Sequence, residues 1–299
     1  MTVAIRADRA LYWAKHESRG QVRFYDRNLD AEMQRRKQLK CEVRRALEGD
    51  EFELYYQPQL DLATNHCTGV EALVRWRHPE RGLLSPGEFM PIIDASGLSR
   101  ALDAWVLREA CRQARAWCDR GQPLRVAVNL SQAQLSHADI LGTVEATLET
   151  TGARADCLEL EITERFVMEG FSETTERNLN ALAAQEIELV LDDFGQGYSS
   201  LARLRTLPVS KIKIDRAFIA GVGRIEQDEA LVGLIVTLGQ TLNKRVLAEG
   251  VETQRQLEFL RQVGCDEAQG YFIGRPAPAE EISVGRNWSL IAAARTVAP

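Results

Sequence analysis

The stretch LVLDDFGQGYSSL, residues 189–201, places two adjacent carboxylates, Asp192 and Asp193, at the end of the apolar run Leu189, Val190 and Leu191. Two anions side by side at the mouth of a buried strand repel each other and lose hydration. A helix N-terminus, a basic side chain or one or more metal ions could offset that cost. Similar polar residues end other apolar stretches. In CLELEITE, Leu158, Leu160 and Ile162 share one strand face while Glu159 and Glu161 share the other. In KIKID, Ile212 and Ile214 alternate with Lys211, Lys213 and Asp215. In RVLAEG, Val246 and Ala248 alternate with Leu247 and Glu249, and in VEALVR the residues Glu71, Leu73 and Arg75 share a face. Asn129 closes RVAVN, and Gln269 lies in EAQGY.

The set Glu71, Arg75, Asn129, Glu161, Asp192, Asp193, Lys213, Asp215, Glu249 and Gln269 is dominated by acids. Lys213 and Arg75 are too few to neutralise them, so one or two divalent cations are the simplest counter-charge. Oxygen ligands favour Mg²⁺, Mn²⁺ or Ca²⁺ over zinc or copper. None of the four histidines ends one of these strands, and His78, before Pro79, reads as a turn residue.

The elements that must hold this set alternate along the chain. Strands are expected at Phe52–Gln59, Thr68–Trp76, Arg125–Asn129, Cys157–Thr163, Glu188–Asp192, Lys211–Asp215, Arg245–Glu249 and Glu267–Tyr271. Helices are expected at Ala101–Arg120, Ile140–Thr150, Glu173–Ala184, Asp228–Leu242 and Gln254–Val263, with a polar helix from about Ala31 to Glu48. The DLATNHCTG turn is too short for a crossover helix, so the first two strands pair antiparallel. The rest reads as β-α-β-α, hence a parallel sheet covered by helices. This is an α/β pattern that fits a (β/α)₈ TIM-like barrel with an antiparallel first strand pair, its polar strand ends gathered where barrel enzymes keep their active sites. A doubly wound open sheet is the alternative, but the chain contains no G-x-G-x-x-G.

The 299 residues are 45% hydrophobic and 27% charged, a globular balance, and the formal charge of −6 argues against a DNA- or RNA-polymer binder. The six cysteines show neither C-x-x-C nor zinc spacing, which suits a cytoplasmic, reduced setting. The N-terminus carries Arg6 and Asp8 where a signal peptide would be apolar, and no apolar run approaches the ~18 residues of a membrane span.

The motifs VEALVRW, VNLS, LEITE, LDDFGQGYSSL, KIKID, AEGVE and QGYFIGRP stand in the order and spacing of the EAL-domain phosphodiesterases of bacterial cyclic di-GMP signalling. The resemblance runs from about Lys37 to Asn287 and implies hydrolysis of one phosphodiester of cyclic di-GMP to linear pGpG. It implies that Glu71, Asn129, Glu161 and Asp192 hold one metal, with Asp192 bridging to a second that Asp193 completes. Lys213 and Glu249 are similar to the family's catalytic lysine and second-site glutamate, and the resemblance leaves proton acceptance open between Glu249 and Asp193. Gln57, Arg75 and Asp215 match substrate-contacting positions, and Gln269 a position that orders water. Mg²⁺ or Mn²⁺ is the implied cofactor, with Ca²⁺ inhibitory, and a homodimer is expected. GQGYSSL resembles the family's mobile loop, with Glu252 matching its anchor, while Gln196 stands where threonine is usual. ADRALYWAKHESRG resembles the C-terminal end of a GGDEF domain, so residues 1–30 are expected to be the end of an upstream domain plus linker, 31–290 the EAL domain and 291–299 a tail. A membrane tether in such an upstream region is compatible with this reading. The competing expectation is a cyclic di-GMP receptor that acts through a partner without turnover.

Overall fold

The computed structural model describes residues 38, 41–169, 172–195 and 201–282. The expected GGDEF remnant, the C-terminal tail and Gln196 lie outside the described residues. Strands β1 (Phe52–Asp61), β2 (Cys67–His78), β4 (Arg125–Asn129), β5 (Leu158–Thr163), β6 (Glu188–Phe194), β7 (Lys211–Ile214), β8 (Arg245–Ala248) and β9 (Glu267–Gln269) form a closed ring of eight. β1 runs antiparallel to both its neighbours, β2 and β9, and the other ring contacts are parallel. Closure of the ring rules out the open doubly wound sheet.

The sequence reading lacked one strand and five helices, four of the helices only four to six residues long. β3 (Gly82–Leu84) adds an antiparallel strand outside the ring on β2, and α1 (Pro86–Ser96) follows it. α1 has a clear local cause. Ser85 and Glu88 form a capping box and Pro86 occupies the first helical turn, so the SPGE string was its signal. The remaining helices are α2 (Ser99–Asp119), α3 (Gln132–Leu135), α4 (Ile140–Thr151), α5 (Glu164–Glu169), α6 (Glu173–Ala184), α7 (Leu201–Thr206), α8 (Arg216–Gly221), α9 (Glu226–Thr241) and α10 (Gln254–Gln262). Three strands stop earlier than expected: β7 ends before Asp215, β8 before Glu249 and β9 before Gly270. Asp215 instead caps α8 by accepting the Ala217 N–H at 2.8 Å.

Outward strand residues such as Leu160, Ile162, Ile212, Ile214 and Val246 are buried against the helix layer. Ala127, Val190 and Leu247 are equally buried but stand apart from that core, inside the barrel. On their N-terminal side lies a layer of charged residues. Lys211 bonds Glu159 at 2.9 Å and Glu267 at 2.7 Å, and Arg125 reaches Glu159, Glu188 and Glu267 at 3.1, 3.2 and 2.8 Å. Arg245 completes the layer on Glu188 and Glu267. Burial pushes Glu188 up, but Lys211, Arg245 and Arg125 outweigh it and hold its carboxyl at about 2. Three acids face three bases, so this layer is internally neutral and needs no ion.

His78 also has a structural task. Its Nδ1 accepts the Glu80 and Arg81 N–H groups at 3.1 and 3.3 Å and its Nε2 faces Glu42, which ties the helical stretch 41–48 to the end of β2.

Replacing Lys211 with Met leaves three acids to two bases in this layer, and removing one partner of a buried ion pair typically costs about 3–5 kcal/mol. Urea denaturation of Lys211→Met should therefore show a clearly lower midpoint than wild type at pH 7.

Candidate active site

The alternation that buries the outward strand residues points every second residue into the lumen, and the C-terminal layer gathers the acids. Lys213, 1% exposed, is the hub. Its Nζ lies 2.6 Å from Glu249, 2.8 Å from Glu161, 3.3 Å from Asp192 and 3.6 Å from Glu71. These four carboxylates come from β2, β5, β6 and the residue after β8. Asn129, at the end of β4, donates to Glu71 Oε1 at 3.0 Å, and Gln269 on β9 donates to Glu71 Oε2 at 2.6 Å. Gln269 also donates to Gln57 on β1 at 3.1 Å. The antiparallel course of β1 puts Gln57 opposite Glu71.

Asp193 and Asp215 form the second edge. Asp193 has φ 56°, a left-handed conformation that Asp tolerates better than most residues, and its N–H turns back to Asp192 Oδ1 at 2.9 Å. Oxygens of Asp192, Asp193 and Glu249 lie within 4.8 Å of one another, a spacing suited to one cation. Arg75 is half-buried on the rim. Its guanidinium donates to the Val74 carbonyl at 2.8 Å and lies 5.5 Å from the Tyr55 ring centre, so it is not among the Lys213 partners.

The charges reveal the same imbalance. Burial alone would neutralise Lys213, yet Asp192, Glu161, Glu71 and Glu249 hold its pKa well above the usual lysine range. Burial drives Glu161 well up, partly opposed by Lys213 and reinforced by Glu71 and Asp192. Glu249 rises to about 7 by burial, opposed by Lys213 and reinforced by Asp192 and Glu71. Asp193 rises to about 6 through burial, then Asp192 and Asp215.

Both Glu161 oxygens are buried without a well-directed hydrogen-bond donor, although Lys213 stands 2.8 Å away. Four carboxylates around one ammonium, in an all-oxygen donor set, fit a hard divalent cation.

The loop after β6 is held at its described start by Glu164, the second acid of LEITE. Its buried carboxylate accepts the Gly195 N–H at 2.8 Å. Gly195 has φ 106°, and a Cβ there would stand 2.5 Å from the Phe218 ring, so only glycine fits. The sequence reading missed Glu164, although its spacing three residues after Glu161 was visible. Glu252 is exposed, and its backbone N–H donates to Gln256 at 2.8 Å in the α10 cap.

Fold and site together define a (β/α)₈ barrel whose C-terminal mouth presents a cation-seeking acidic cluster. The chain belongs to the EAL domain family, which matches residues 40–276. It is 42% identical over 279 residues to the Pseudomonas aeruginosa bifunctional diguanylate cyclase/cyclic di-GMP phosphodiesterase MucR, covering 93% of this chain and 41% of MucR. It is 42% identical to the cyclic di-GMP phosphodiesterase NbdA of the same organism, covering 90% of this chain and 34% of NbdA. The chain thus spans less than half the length of these relatives. Among solved structures it is similar to the PaMucR phosphodiesterase in complex with c-di-GMP, with 44% identity and a TM-score of 0.78, covering 82% of this chain and 99% of that one. The Xanthomonas citri FimX EAL domain, 24% identical with a TM-score of 0.77 over 86% of this chain and 100% of that one, shares the fold.

The raised carboxyl groups predict a pH dependence. A carboxyl whose native pKa lies above its unfolded value holds a proton that the unfolded chain releases, so its contribution to stability is lost as pH rises. For Glu249 the window runs from about 4.5 to about 7. In chelator, thermal unfolding should show Glu249→Gln gaining stability relative to wild type as pH goes from 5 to 8. A constant difference would contradict the assignment.

Proposed function

We propose that this chain is a metal-dependent phosphodiesterase that hydrolyses cyclic di-GMP to linear pGpG. The observation that carries the reading is the group of four carboxylates around Lys213, an excess of negative charge absent from the balanced layer deeper in the same barrel. The likeness to the PaMucR phosphodiesterase complex supplies the substrate class.

In this reading Glu71, Asn129, Glu161 and Asp192 hold one divalent cation, and Asp192, Asp193 and Glu249 a second. When bound, Mg²⁺ or Mn²⁺ supplies charge that stabilises a phosphorane and acidifies the attacking water. Water adds to one phosphorus and the bond to the 3′ oxygen breaks. The departing oxygen takes a proton from solvent or from the acid that received the water's, which leaves a 5′-phosphate and a free 3′-hydroxyl. Lys213, kept charged by its carboxylates, meets the negative charge that grows on the phosphoryl oxygens. Oxygens of Glu249 and Asp193 lie at the second cation position, where the attacking water would sit. They are the candidates for the water proton. Arg75 and Gln57 orient the nucleotide from β2 and β1, with Asp215 on the opposite edge, and Gln269 orients Glu71 and nearby water. Among the described residues no helix is long and apolar enough to cross a membrane.

The test is incubation with cyclic di-GMP and Mg²⁺ or Mn²⁺, with chelator and Ca²⁺ controls, followed by chromatography and mass analysis. Linear pGpG should form with Mg²⁺ or Mn²⁺ only. Glu71→Ala should abolish turnover and weaken metal binding. Lys213→Met should retain nucleotide binding and lose at least about 100-fold in kcat, the scale of deleting one transition-state charge partner. Tight binding by wild type without any product would replace this reading with that of a receptor.

A further inference from the structure

Three glutamine amides run in line beneath Glu71. Gln269 Nε2 donates both to Glu71 Oε2 at 2.6 Å and to Gln57 Oε1 at 3.1 Å, and Gln57 Nε2 donates to the Gly274 carbonyl at 3.0 Å. Gln59 Nε2 donates to Gln269 Oε1 at 3.2 Å. The chain has a single workable direction. Glu71 and the Gly274 carbonyl accept only, so both ends demand N–H groups. A reversed Gln269 would press its carbonyl oxygen against the Glu71 carboxylate and its NH₂ against that of Gln59. The three side chains are between 1% and 8% exposed, so solvent does not relieve a wrong orientation.

Gln59 touches none of the acidic cluster, and its own position is costly. It stands opposite both Gly69 and Gln269 in the ring, and its Oε1 is buried without a donor. A buried unpartnered amide oxygen typically costs about 1–3 kcal/mol. An apolar side chain would avoid that cost, so packing does not account for glutamine here; the donor on the other side of the amide does. Gly69 makes the room, since a Cβ at 69 would stand 3.0 Å from Gln59 Oε1.

We propose that Gln59 is a positioning residue for the cation site. Its N–H fixes the Gln269 carbonyl, which keeps both Gln269 donors turned toward Glu71 and Gln57 and so sets the rotamer in which Glu71 presents its carboxylate. This rests on Glu71 being a cation ligand.

The experiment compares wild type, Gln59→Met, Gln269→Met and the double variant, with folding checked by circular dichroism. Mn²⁺ affinity is measured by calorimetry and cyclic di-GMP turnover separately. Loss of a hydrogen-bond partner behind a metal ligand commonly weakens metal binding 10–100-fold. Gln59→Met is therefore expected to bind Mn²⁺ about tenfold more weakly, with kcat falling more than KM changes. In the Gln269→Met background the same substitution should add no further loss, because the route through Gln269 is already cut. Gln59→Leu serves the same comparison if Gln59→Met does not fold. Wild-type Mn²⁺ affinity in the folded variant, or losses that add in the double variant, would overturn the inference. So would a wild-type protein that binds no Mn²⁺. Wild type that binds Mn²⁺ but releases no pGpG would sink the proposed function alone, since the calorimetric comparison stands without turnover.

Discussion

The lumen of this barrel contains two charged layers, and the difference between them governs the rest of the structure. In the N-terminal layer Glu159, Glu188 and Glu267 are met by Lys211, Arg125 and Arg245, so the charges balance, although burial still raises Glu159. In the C-terminal layer one ammonium serves Glu71, Glu161, Asp192 and Glu249. Desolvated anions in excess must take up protons or cations. The upward displacement of Glu161, Glu249 and Asp193 is the protein's answer when only protons are available. Cations offer the other answer, and in the proposed function a phosphodiester would bring further negative charge for them to hold.

Such a site survives only because the backbone around it is fully committed. Asp193 adopts a left-handed conformation, Gly195 passes too close to Phe218 for any side chain, and Glu164 holds the departing loop by its N–H. Asp215 is occupied as a helix cap while lying against Asp193. On the other side, Gln57, Gln59 and Gln269 form a directed amide chain that ends on Glu71. Each feature restricts a rotamer or a turn near the acids, and together they keep mutually repelling groups within reach of a common centre.

Much of this was legible in the chain itself. The alternation in LELEIT, KIKI and RVLA gave the strands and their inward faces, and the short turn after the first strand gave its antiparallel pairing. The strands from Arg125 to Asn129 and the helix from Glu173 to Ala184 match the expected bounds. Other features were obscured by local ambiguity. β3 has three residues, too few for a periodic signal, and α1 contains Pro91, which reads as a helix breaker. Glu164 opens a helix, where an acid is ordinary, and only its contact with Gly195 gives it a distinct task.

Strand periodicity is a local property, so the sequence by itself determined that Glu159 and Glu161 share a face, and likewise Lys211 and Lys213. Nearness to the C-terminal strand end singled out Glu161 and Lys213, but strand periodicity could not say which charges would surround either member of a pair. Their neighbours come from strands as distant as β2, β8 and β9, and those were set when the ring closed and fixed the register of each strand against the next. Closure put Lys211 and Glu159 among balancing charges, and Lys213 and Glu161 among acids that outnumber the one ammonium. The tertiary structure made that choice because charge balance depends on everything within a few ångströms, and those groups come from strands far apart in the chain.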